Sequence, residues 1–292
     1  MSAVDVSILI VHATDTPVLR QTLRSIRRVA PKLNYELIII DNNISAGLGP
    51  TILREFPDIQ YVPMERNVGF GAGMNAGIKI ANGKYVFIFN PDIVPHPNSI
   101  EELYHFMEEQ VHVGVCGPQL VNADGSLQYS CYRIPHVLMP VLRRTPLGFL
   151  PFARRLVDDY LMKDAPHVEV MEVDSLLGGT MFARRVALEE VGLFDEAFFL
   201  YYEDNDLCRR FWEKGHPVVY YPRSKMMHYH RRQTADGNIL RQLFSWLTWV
   251  QISSFIKYTK KYWKKDNPRI AYGGFALRTG KRNIERATKK AF

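Results

Sequence analysis

Two carboxylates stand just after apolar runs whose length suits a buried strand. The run Tyr85–Phe89 is closely followed by Asp92, and the run that ends at Ile40 is followed by Asp41. Short runs of this kind are typical of inner strands of a parallel sheet, whose carboxyl ends meet at the edge where α/β proteins bind ligands. A carboxylate at that edge suits a divalent metal ion bound to phosphates. The alternative for Asp92 is a solvated side chain at a strand–turn boundary, and for Asp41 a turn in which the side chain bonds its own backbone.

A second acidic group lies further along the chain, where Glu203, Asp204 and Asp206 fall within four residues. They precede a stretch of helical spacing, and a helix dipole favours acids at its N-terminus. Capping accounts for one or two acids but not for three beside an aromatic segment.

His228 follows the last apolar run of the sheet. A lone histidine there is more often structural, but a metal ligand at Asp92 makes it a candidate second ligand.

Glycines are concentrated in two segments. Residues 65–77 contain four glycines and come before an expected helix at Met74–Ala81. They would let the backbone approach a phosphate at the helix N-terminus or let the helix pack tightly on the sheet, and the sequence favours neither. The Gly spacing of a dinucleotide site is missing. The pair Gly178 and Gly179 would let a bound molecule approach the backbone closely.

The elements that must position these residues alternate along the chain. A strand at Val6–Val11, a helix at Val18–Val29 and a strand at Tyr35–Ile40 form a β-α-β unit, which predicts a parallel sheet of the α/β class with a right-handed crossover. Further strands are expected at Ile59–Pro63, Val113–Cys116, Val170–Ser175, Thr180–Phe182 and Val218–Tyr221, further helices at 98–110, Arg184–Val191 and Leu207–Lys214, and a hairpin turn at Asn122–Ser126. The segment 133–166 is expected to be an irregular flap.

Composition is that of an ordinary soluble protein, with 47% hydrophobic and 23% charged residues among 292. Three scattered cysteines and no CxxC motif argue against a zinc site or a disulfide framework and for a reducing compartment. The N-terminus lacks the basic segment of a signal peptide, and no apolar run reaches the roughly 18 residues of a membrane span.

The net charge of +7 is unevenly distributed. From Arg231 onward there are 15 Lys and Arg against 3 Asp and Glu, whereas the preceding chain has 22 and 27. Within this tail the apolar segment Leu240–Ile256 leads into the basic, aromatic segment Lys257–Lys265. The pattern favours a helix at an anionic membrane surface, with packing on the preceding domain or a second subunit and nucleic-acid binding as alternatives.

The order of these motifs resembles that of glycosyltransferase family 2, and within it the bacterial rhamnosyltransferases. Their pattern N-x-G-x-x-x-G-x-N-x-G, followed by N-P-D, is matched by Asn67–Gly77 and Asn90–Asp92, and their G-x-F-D-E-x-F-F with the following E-D-x-D by Gly192–Arg209. The resemblance runs from Val4 to His230. It implies a GT-A fold, with a Rossmann-like, mostly parallel central sheet flanked by helices. It also implies a catalytic domain at 1–232, with a nucleotide half up to about 120 and an acceptor half at 121–232, and a helical tail at 233–292.

Residue roles follow from the resemblance, motif by motif. Asp204 is expected to be the general base, with Glu203 as its neighbour, and Asp92 and His228 are expected to hold Mg²⁺ or Mn²⁺. Asn90 replaces the first acid of the family's D-x-D motif, so one carboxylate remains there. Asp41 is expected to read a pyrimidine base. The residues expected to contact the nucleotide are Val11, His12, Asp41, Asn43, Arg66, Asn67, Gly73, Asn90 and Asp92, and those expected to contact the acceptor are Gly178, Gly179 and Tyr201.

The function that the resemblance implies is an inverting, metal-dependent transfer of a sugar from a nucleotide donor. L-Rhamnose from dTDP-rhamnose is the expected sugar, moved onto a lipid-linked or growing bacterial cell-surface polysaccharide such as O-antigen or cell-wall glycan. A UDP-sugar donor and a catalytically silent nucleotide-sugar-binding module are the alternatives. The expected location is the cytoplasm, peripheral on the inner face of the cell membrane. A homodimer is possible, and no nucleic-acid partner is expected.

Overall fold

The computed structural model describes residues 3–29, 31–43, 47–142, 150–229 and 245–271. The strands are β1 (Val6–His12), β2 (Tyr35–Asp41), β3 (Gln60–Pro63), β4 (Tyr85–Phe89), β5 (Ile93–Pro95), β6 (Val115–Val121), β7 (Leu127–Gln128), β8 (Cys131–Tyr132), β9 (Met171–Glu172), β10 (Ser175–Leu176), β11 (Thr180–Arg184) and β12 (Val218–His228). The helices are α1 (Thr16–Val29), α2 (Leu48–Glu55), α3 (Phe70–Ile78), α4 (Ser99–Glu109), α5 (Met139–Leu142), α6 (Pro151–Tyr160), α7 (Arg185–Glu190), α8 (Glu203–Glu213), α9 (Trp246–Lys261) and α10 (Pro268–Ala271).

Most of the described strands belong to one sheet, in the order β3-β2-β1-β4-β11-β6-β12-β5. The pairs β1–β2, β1–β4, β2–β3 and β6–β12 are parallel. Strand β11 runs antiparallel between β4 and β6, and β5 runs antiparallel on the edge of β12. The expected mostly parallel α/β sheet is therefore confirmed.

Successive side chains of strand β1 point to opposite faces of the sheet, so one apolar run contributes to the hydrophobic core on each face. Ile8 and Ile10 pack with the helix α1 side chains on one face of the sheet, and Leu9 packs with Met74 of α3 on the other face. Every residue of β1 is buried, because helices cover both faces, which is why the run lacks polar alternation. The sheet edge at the carboxyl ends of β1, β2 and β4 is left for ligands.

Several element boundaries differ from the sequence predictions. Helix α3 begins at Phe70 rather than Met74, so three of the glycines lie inside the helix rather than before it. Strand β12 continues past Tyr221 to His228, with an irregularity in its pairing on β6 between Tyr221 and Lys225. The hairpin turn at 122–126 is confirmed, because it joins antiparallel β6 and β7.

The segment 133–166 was predicted to be irregular, and the prediction is wrong for its described part. It contains α5 and α6, and the Arg133 guanidinium forms ion pairs with Asp159 at 2.8 Å and Asp164 at 2.9 Å. These contacts join the two ends of the segment. The proline-rich composition concealed α6, whose first residue is Pro151, a position that proline tolerates. Residues 143–149 lie outside the described part.

Candidate active site

The carboxyl ends of β1 and β2 carry a buried hydrogen-bond network centred on Asp41. Its Oδ1 lies 3.0 Å from His12 Nδ1 and accepts the Asn43 backbone N–H at 2.9 Å, and its Oδ2 accepts the Tyr61 hydroxyl at 2.5 Å. The Thr16 hydroxyl lies 3.3 Å from the other ring nitrogen of His12. Parallel pairing places His12 directly opposite Asp41, which explains why these side chains meet.

Asp41 is a fixed negative charge at this edge. Burial raises the pKa of its carboxyl, but hydrogen bonds from Tyr61, His12 and the Asn43 N–H outweigh it, so the pKa lies below its ordinary value. Because both oxygens already accept hydrogen bonds, a base would reach Asp41 only through a remaining lone pair. The structure thus shows the strand-end network of the turn alternative, and reading of a pyrimidine by Asp41 stays a prediction.

Glycines in α3 serve close packing on the sheet. A Cβ on Gly77 would lie 2.7 Å from Ile40 Cδ1, and one on Gly73 would lie 3.2 Å from Val11 Cγ2. This is the packing alternative that the sequence left open. Gly73 and Val11 therefore pack together where α3 meets the carboxyl end of β1. Their expected contact with the nucleotide stays a prediction.

The loop before α3 lies against the segment that leads into α8. Gly69 has φ +91°, and a Cβ there would lie 2.3 Å from the Phe199 carbonyl oxygen. Asn42 donates its Nδ2 to the Gly69 carbonyl at 2.8 Å, and the Asn67 side chain accepts the Gly69 N–H at 3.0 Å. Arg66 and Asn67 are exposed on this loop, so they border the edge without joining the buried network.

Asp92 and His228 lie together, although 136 residues separate them in the sequence. The antiparallel pairing of β12 with β5 places His228 opposite Ile93, and the His228 Nε2 lies 3.3 Å from Asp92 Oδ2. His228 Nδ1 lies 2.8 Å from Gln128 Oε1. When Nδ1 donates to Gln128, the Nε2 lone pair faces a carboxylate oxygen, so the pair needs a proton or a metal cation between them.

The two side chains fit a divalent cation that keeps further ligands from water and substrate. The Asp92 Oδ1 is buried and has no hydrogen-bond partner, as expected of an oxygen meant for a cation. A carboxylate and an imidazole suit Mn²⁺ and, with phosphate oxygens added, Mg²⁺. Within the described residues no group of three or more His, Cys, Asp and Glu is arranged around a metal position. The remaining ligands would come from a bound diphosphate.

The pair Gly178 and Gly179 connects the two acidic regions. The Gly178 N–H donates to Asp204 Oδ2 at 3.1 Å, and a Cβ on Gly178 would lie 2.9 Å from Asp204 Cβ. A Cβ on Gly179 would lie 2.3 Å from Asn90 Nδ2, and the Gly179 carbonyl accepts the Asn90 N–H at 2.9 Å. Because the two glycines lack side chains, Asp204 and Asn90 can both pack against this dipeptide. The expected contact of the glycines with the acceptor stays a prediction.

The two acids that open α8 differ in their surroundings. Glu203 is buried with no partner for its Oε2, and burial with the Asp204 charge raises the pKa of its carboxyl well above the ordinary value. Asp204 is partly exposed, and burial raises the pKa of its carboxyl despite hydrogen bonds from Asn205 and Gly178. Asp204 can therefore meet a substrate hydroxyl, whereas Glu203 faces the interior and keeps its proton to higher pH.

Tyr201 and Tyr202, which come just before α8, have φ values of +69° and +67°. Left-handed backbone at non-glycine residues costs about 1–2 kcal/mol each and persists only where surrounding structure imposes it. The Tyr202 ring packs against Phe255 and Tyr258 of α9 at 5.4 and 5.6 Å. Helix α9 therefore stabilises the turn that aims Asp204.

Comparisons with known proteins agree with this geometry. The family model described as "Glycosyl transferase family 2" matches residues 7–165, more than half of the chain. The chain belongs to glycosyl transferase family 2. It is 25% identical over 217 residues to an N-acetylglucosaminyl-diphospho-decaprenol L-rhamnosyltransferase of Mycobacterium tuberculosis, covering 70% of both chains. It is 23% identical over 198 residues to the dTDP-rhamnosyl transferase RfbF of Shigella flexneri, covering 67% of this chain and 60% of that one.

The fold of this glycosyltransferase also has relatives among solved structures. A crystal structure of GalNAc-T7 with UDP, GalNAc and Mn²⁺ matches 90% of the chain with a TM-score of 0.65 and 16% sequence identity. The glycosyltransferase spans about half of that protein, 49% of its length. At this identity the match shows the fold, and it confirms the predicted GT-A architecture.

Helix α9 of the glycosyltransferase packs on its catalytic body. Asp206, which has no exposed surface, accepts hydrogen bonds from Arg210 Nε and the Tyr262 hydroxyl at 2.7 Å and lies 2.6 Å from Lys261 Nζ. Ser254 donates to the Leu200 carbonyl at 2.8 Å. The packing alternative for the tail is therefore present in the structure. In the described part of the chain no helix is long and apolar enough to cross a membrane.

Sequence reasoning missed several residues of this site. Tyr61, Gln128 and Gly69 contact predicted residues, but only Gly69 belonged to a motif. Tyr61 lay in the expected strand Ile59–Pro63, where no motif marked it, and Gln128 lies 100 residues from its partner His228. The acidic motif gave the signal for Asp206, but its partner Tyr262 lay in a tail interpreted as membrane-facing. The part of that prediction at 240–244 lies outside the described residues.

Proposed function

We propose that this glycosyltransferase is inverting and metal-dependent and moves L-rhamnose from dTDP-rhamnose onto a lipid-linked acceptor of a bacterial cell-surface polysaccharide. The observation that carries the proposal is the Gly178–Gly179 pair, which contacts Asp204 on one side and Asn90 on the other. Asn90 lies two residues from Asp92, so a candidate base and a candidate metal ligand flank one dipeptide. Inverting sugar transfer needs these two groups beside each other.

The roles of the chain's own groups follow from that arrangement. Asp204 accepts the proton of the acceptor hydroxyl as this oxygen attacks C1 of the donor sugar, and the bond from C1 to the diphosphate breaks on the opposite side. The Gly178 N–H fixes the carboxylate orientation. Asp41 and His12 hold the end of β1 beside the nucleoside. A divalent cation held by Asp92 and His228 would neutralise charge on the departing diphosphate.

The relatives support the donor, because two of them are named for rhamnosyl transfer and one for dTDP. A UDP-sugar fits the same chemistry, and the structural neighbour was crystallised with UDP. The test is a panel of nucleotide sugars with Mg²⁺ or Mn²⁺, recording thermal shift and release of nucleoside diphosphate. Chelator-sensitive response to dTDP-rhamnose is expected. A response to UDP-sugars alone would contradict the rhamnose assignment. A thermal shift with no release of nucleoside diphosphate would indicate a silent binding module.

Replacing His228 by Gln is expected to weaken Mn²⁺ binding in the presence of dTDP by about tenfold or more, since comparable losses follow when metal-site partners are removed. Calorimetric titration of Mn²⁺ measures this without any turnover. The matched control is His216→Gln. His216 lies outside the site, and its Nε2 is 2.9 Å from Glu190 Oε2. Equal Mn²⁺ affinity in both variants would show that His228 is not a ligand.

The outer face of α9 is expected to bind anionic membranes, which would place the enzyme at the inner face of the cell membrane. Trp246 and Trp249 are 60% and 61% exposed, and the Trp246 ring also packs edge-on against Phe199 at 5.3 Å. Five lysines and no acids occur between residues 246 and 265. Exposed tryptophans beside a lysine cluster are typical of helices at anionic interfaces.

Replacing Trp249 by Gln should weaken cosedimentation with phosphatidylglycerol-containing vesicles by about tenfold, the value of one buried large side chain. The control is Val186→Gln, which changes a 64% exposed residue on α7. Neutral phosphatidylcholine vesicles should bind less, and added salt should weaken binding. Failure of the wild-type protein to sediment with either vesicle would contradict membrane binding.

A further inference from the structure

A concave apolar groove lies between α9 and the segment just before α5. Its accessible volume is about 520 Å³, within the size range of small-molecule sites. Its walls come from two separate parts of the chain. The lining residues are Val137, Phe255, Ile256, Thr259, Lys260 and Trp263.

The groove combines hydrocarbon walls with one cation. Val137, Ile256 and Trp263 are each about half-exposed or more, so the walls present apolar surface to water. Lys260 is exposed at the groove, and no acid lies between residues 246 and 265. An apolar cleft of this kind is stabilised by a ligand that covers it. The complementary ligand has a hydrocarbon chain and an anionic group.

The groove adjoins the element that carries the proposed base. Phe255, which forms part of the groove wall, lies 5.4 Å from the ring of Tyr202. Tyr202 directly precedes Glu203 and Asp204, the first residues of α8. A chain bound in the groove therefore contacts the same helix that positions the catalytic turn.

The groove and the exposed tryptophans of α9 are separate surfaces. Trp246 and Trp249 do not line the groove and stand on the exposed face of α9, where a flat membrane surface can meet them. A groove of about 520 Å³ has room for one hydrocarbon chain between its two walls. The lysine beside it suits a diphosphate attached to that chain.

We propose that this groove binds the isoprenoid chain of a polyprenyl diphosphate-linked acceptor, with Lys260 facing the diphosphate. The proposal rests on the proposed function for the identity of the acceptor. It assigns the lipid part of the acceptor to α9 and the sugar part to the sheet edge.

The test uses farnesyl diphosphate as the probe, with inorganic pyrophosphate and farnesol for the head and the chain alone. Binding is measured by calorimetry with a chelator present, so that no divalent cation holds the diphosphate. Wild-type protein is expected to bind farnesyl diphosphate at least about tenfold more tightly than pyrophosphate, because the chain adds buried apolar area. Equal affinity for the two would overturn the proposal.

Two variants place a carboxylate in opposite walls, Ile256→Glu and Val137→Glu, and each should weaken farnesyl diphosphate binding about tenfold or more. Val186→Glu on α7 is the matched control and should bind as the wild type does. Circular dichroism and the melting temperature confirm that each variant is folded. If both groove variants retain wild-type affinity, the chain does not bind here.

Other occupants give different outcomes. Loss of vesicle binding in Ile256→Glu with farnesyl diphosphate binding unchanged would assign the groove to the membrane face. A change from dimer to monomer in sedimentation, again with unchanged probe binding, would assign it to a second copy. Either result overturns the proposal. Since probe binding requires no sugar transfer, a failed donor screen with intact, Ile256-dependent binding would reject the proposed function alone.

Discussion

Replacing Asp204 by Asn is expected to lower kcat by about 10²–10⁴-fold, the usual contribution of a positioned general base. The substitution keeps the size of the side chain and an oxygen that can accept the Gly178 N–H at its present 3.1 Å. It removes the ability to take a proton, and its amide nitrogen replaces the oxygen that accepts the two Asn205 hydrogen bonds at 2.8 Å. Binding of dTDP, measured by calorimetry, should therefore stay unchanged while sugar transfer is lost.

Glu203→Gln is the matched comparison, because it changes the neighbouring acid by the same chemistry. The Glu203 carboxyl is buried, and its raised pKa keeps it neutral to higher pH, so a neutral amide replaces it closely. Most of the activity should survive. An Asp204→Asn enzyme that transfers sugar at the wild-type rate, or a Glu203→Gln enzyme that loses more activity than Asp204→Asn, would contradict the assignment of the base.

The pH profile is a further readout of the same prediction. A base must be ionised to work, so kcat falls as the pH falls through the pKa of Asp204. Burial raises that pKa above the ordinary value of an aspartate, so the loss begins at a higher pH than for a solvated carboxylate. The residual activity of Asp204→Asn should lack this acidic limb.

Replacing Asp206 by Asn is expected to lower the free energy of unfolding by about 1.5–3 kcal/mol, the value of a hydrogen bond to a charged group. Asp206 has no exposed surface and is contacted by Arg210, Lys261 and the Tyr262 hydroxyl. An amide turns one acceptor into a donor that faces other donors. For a chain of this size the melting temperature should fall by roughly 5 °C.

Two controls separate this buried contact from surface charge. Tyr262→Phe removes one donor and should destabilise less than Asp206→Asn does. Asp195 is the other carboxylate at Lys261, with its Oδ2 2.6 Å from Lys261 Nζ, but its side chain is 32% exposed. Asp195→Asn should therefore lower the free energy of unfolding by less than about 1 kcal/mol. If Asp206→Asn melts at the wild-type temperature, α9 is not an integral part of the catalytic body.

The strands were predictable where burial on both faces left almost only apolar residues, as in Val6–Val11, whose one polar residue is Ser7, and in Tyr85–Phe89. They were not predictable where the environment changes along one strand. In β12 the residues after Tyr221 alternate between exposed and buried, and Pro222 lies at the irregular pairing with β6. A proline in a run normally indicates its end, but bulges tolerate it.

The candidate site was predictable as an order of motifs, and its contacts were not. Asp92 and His228 meet because β5 and β12 pair, which no local pattern encodes. The buried face of α9 consists of Thr248, Ser254 and Tyr258, so hydrophobic periodicity did not reveal that it packs on the body. The apolar segment Leu240–Ile256 and the basic, aromatic segment Lys257–Lys265 led to the membrane interpretation instead.

The central claim, that the edge bounded by Asp204 and Asp92 performs inverting sugar transfer, is tested most directly by NMR of a complete reaction. Wild-type and Asp204→Asn enzymes are incubated with dTDP-rhamnose, Mg²⁺ and N-acetylglucosaminyl-diphospho-decaprenol, the compound for which the Mycobacterium tuberculosis relative is named. The account predicts release of dTDP and a new rhamnosyl linkage of anomeric configuration opposite to the donor, from the wild-type enzyme only. A linkage with retained configuration, or the same product at the same rate from Asp204→Asn, would contradict it.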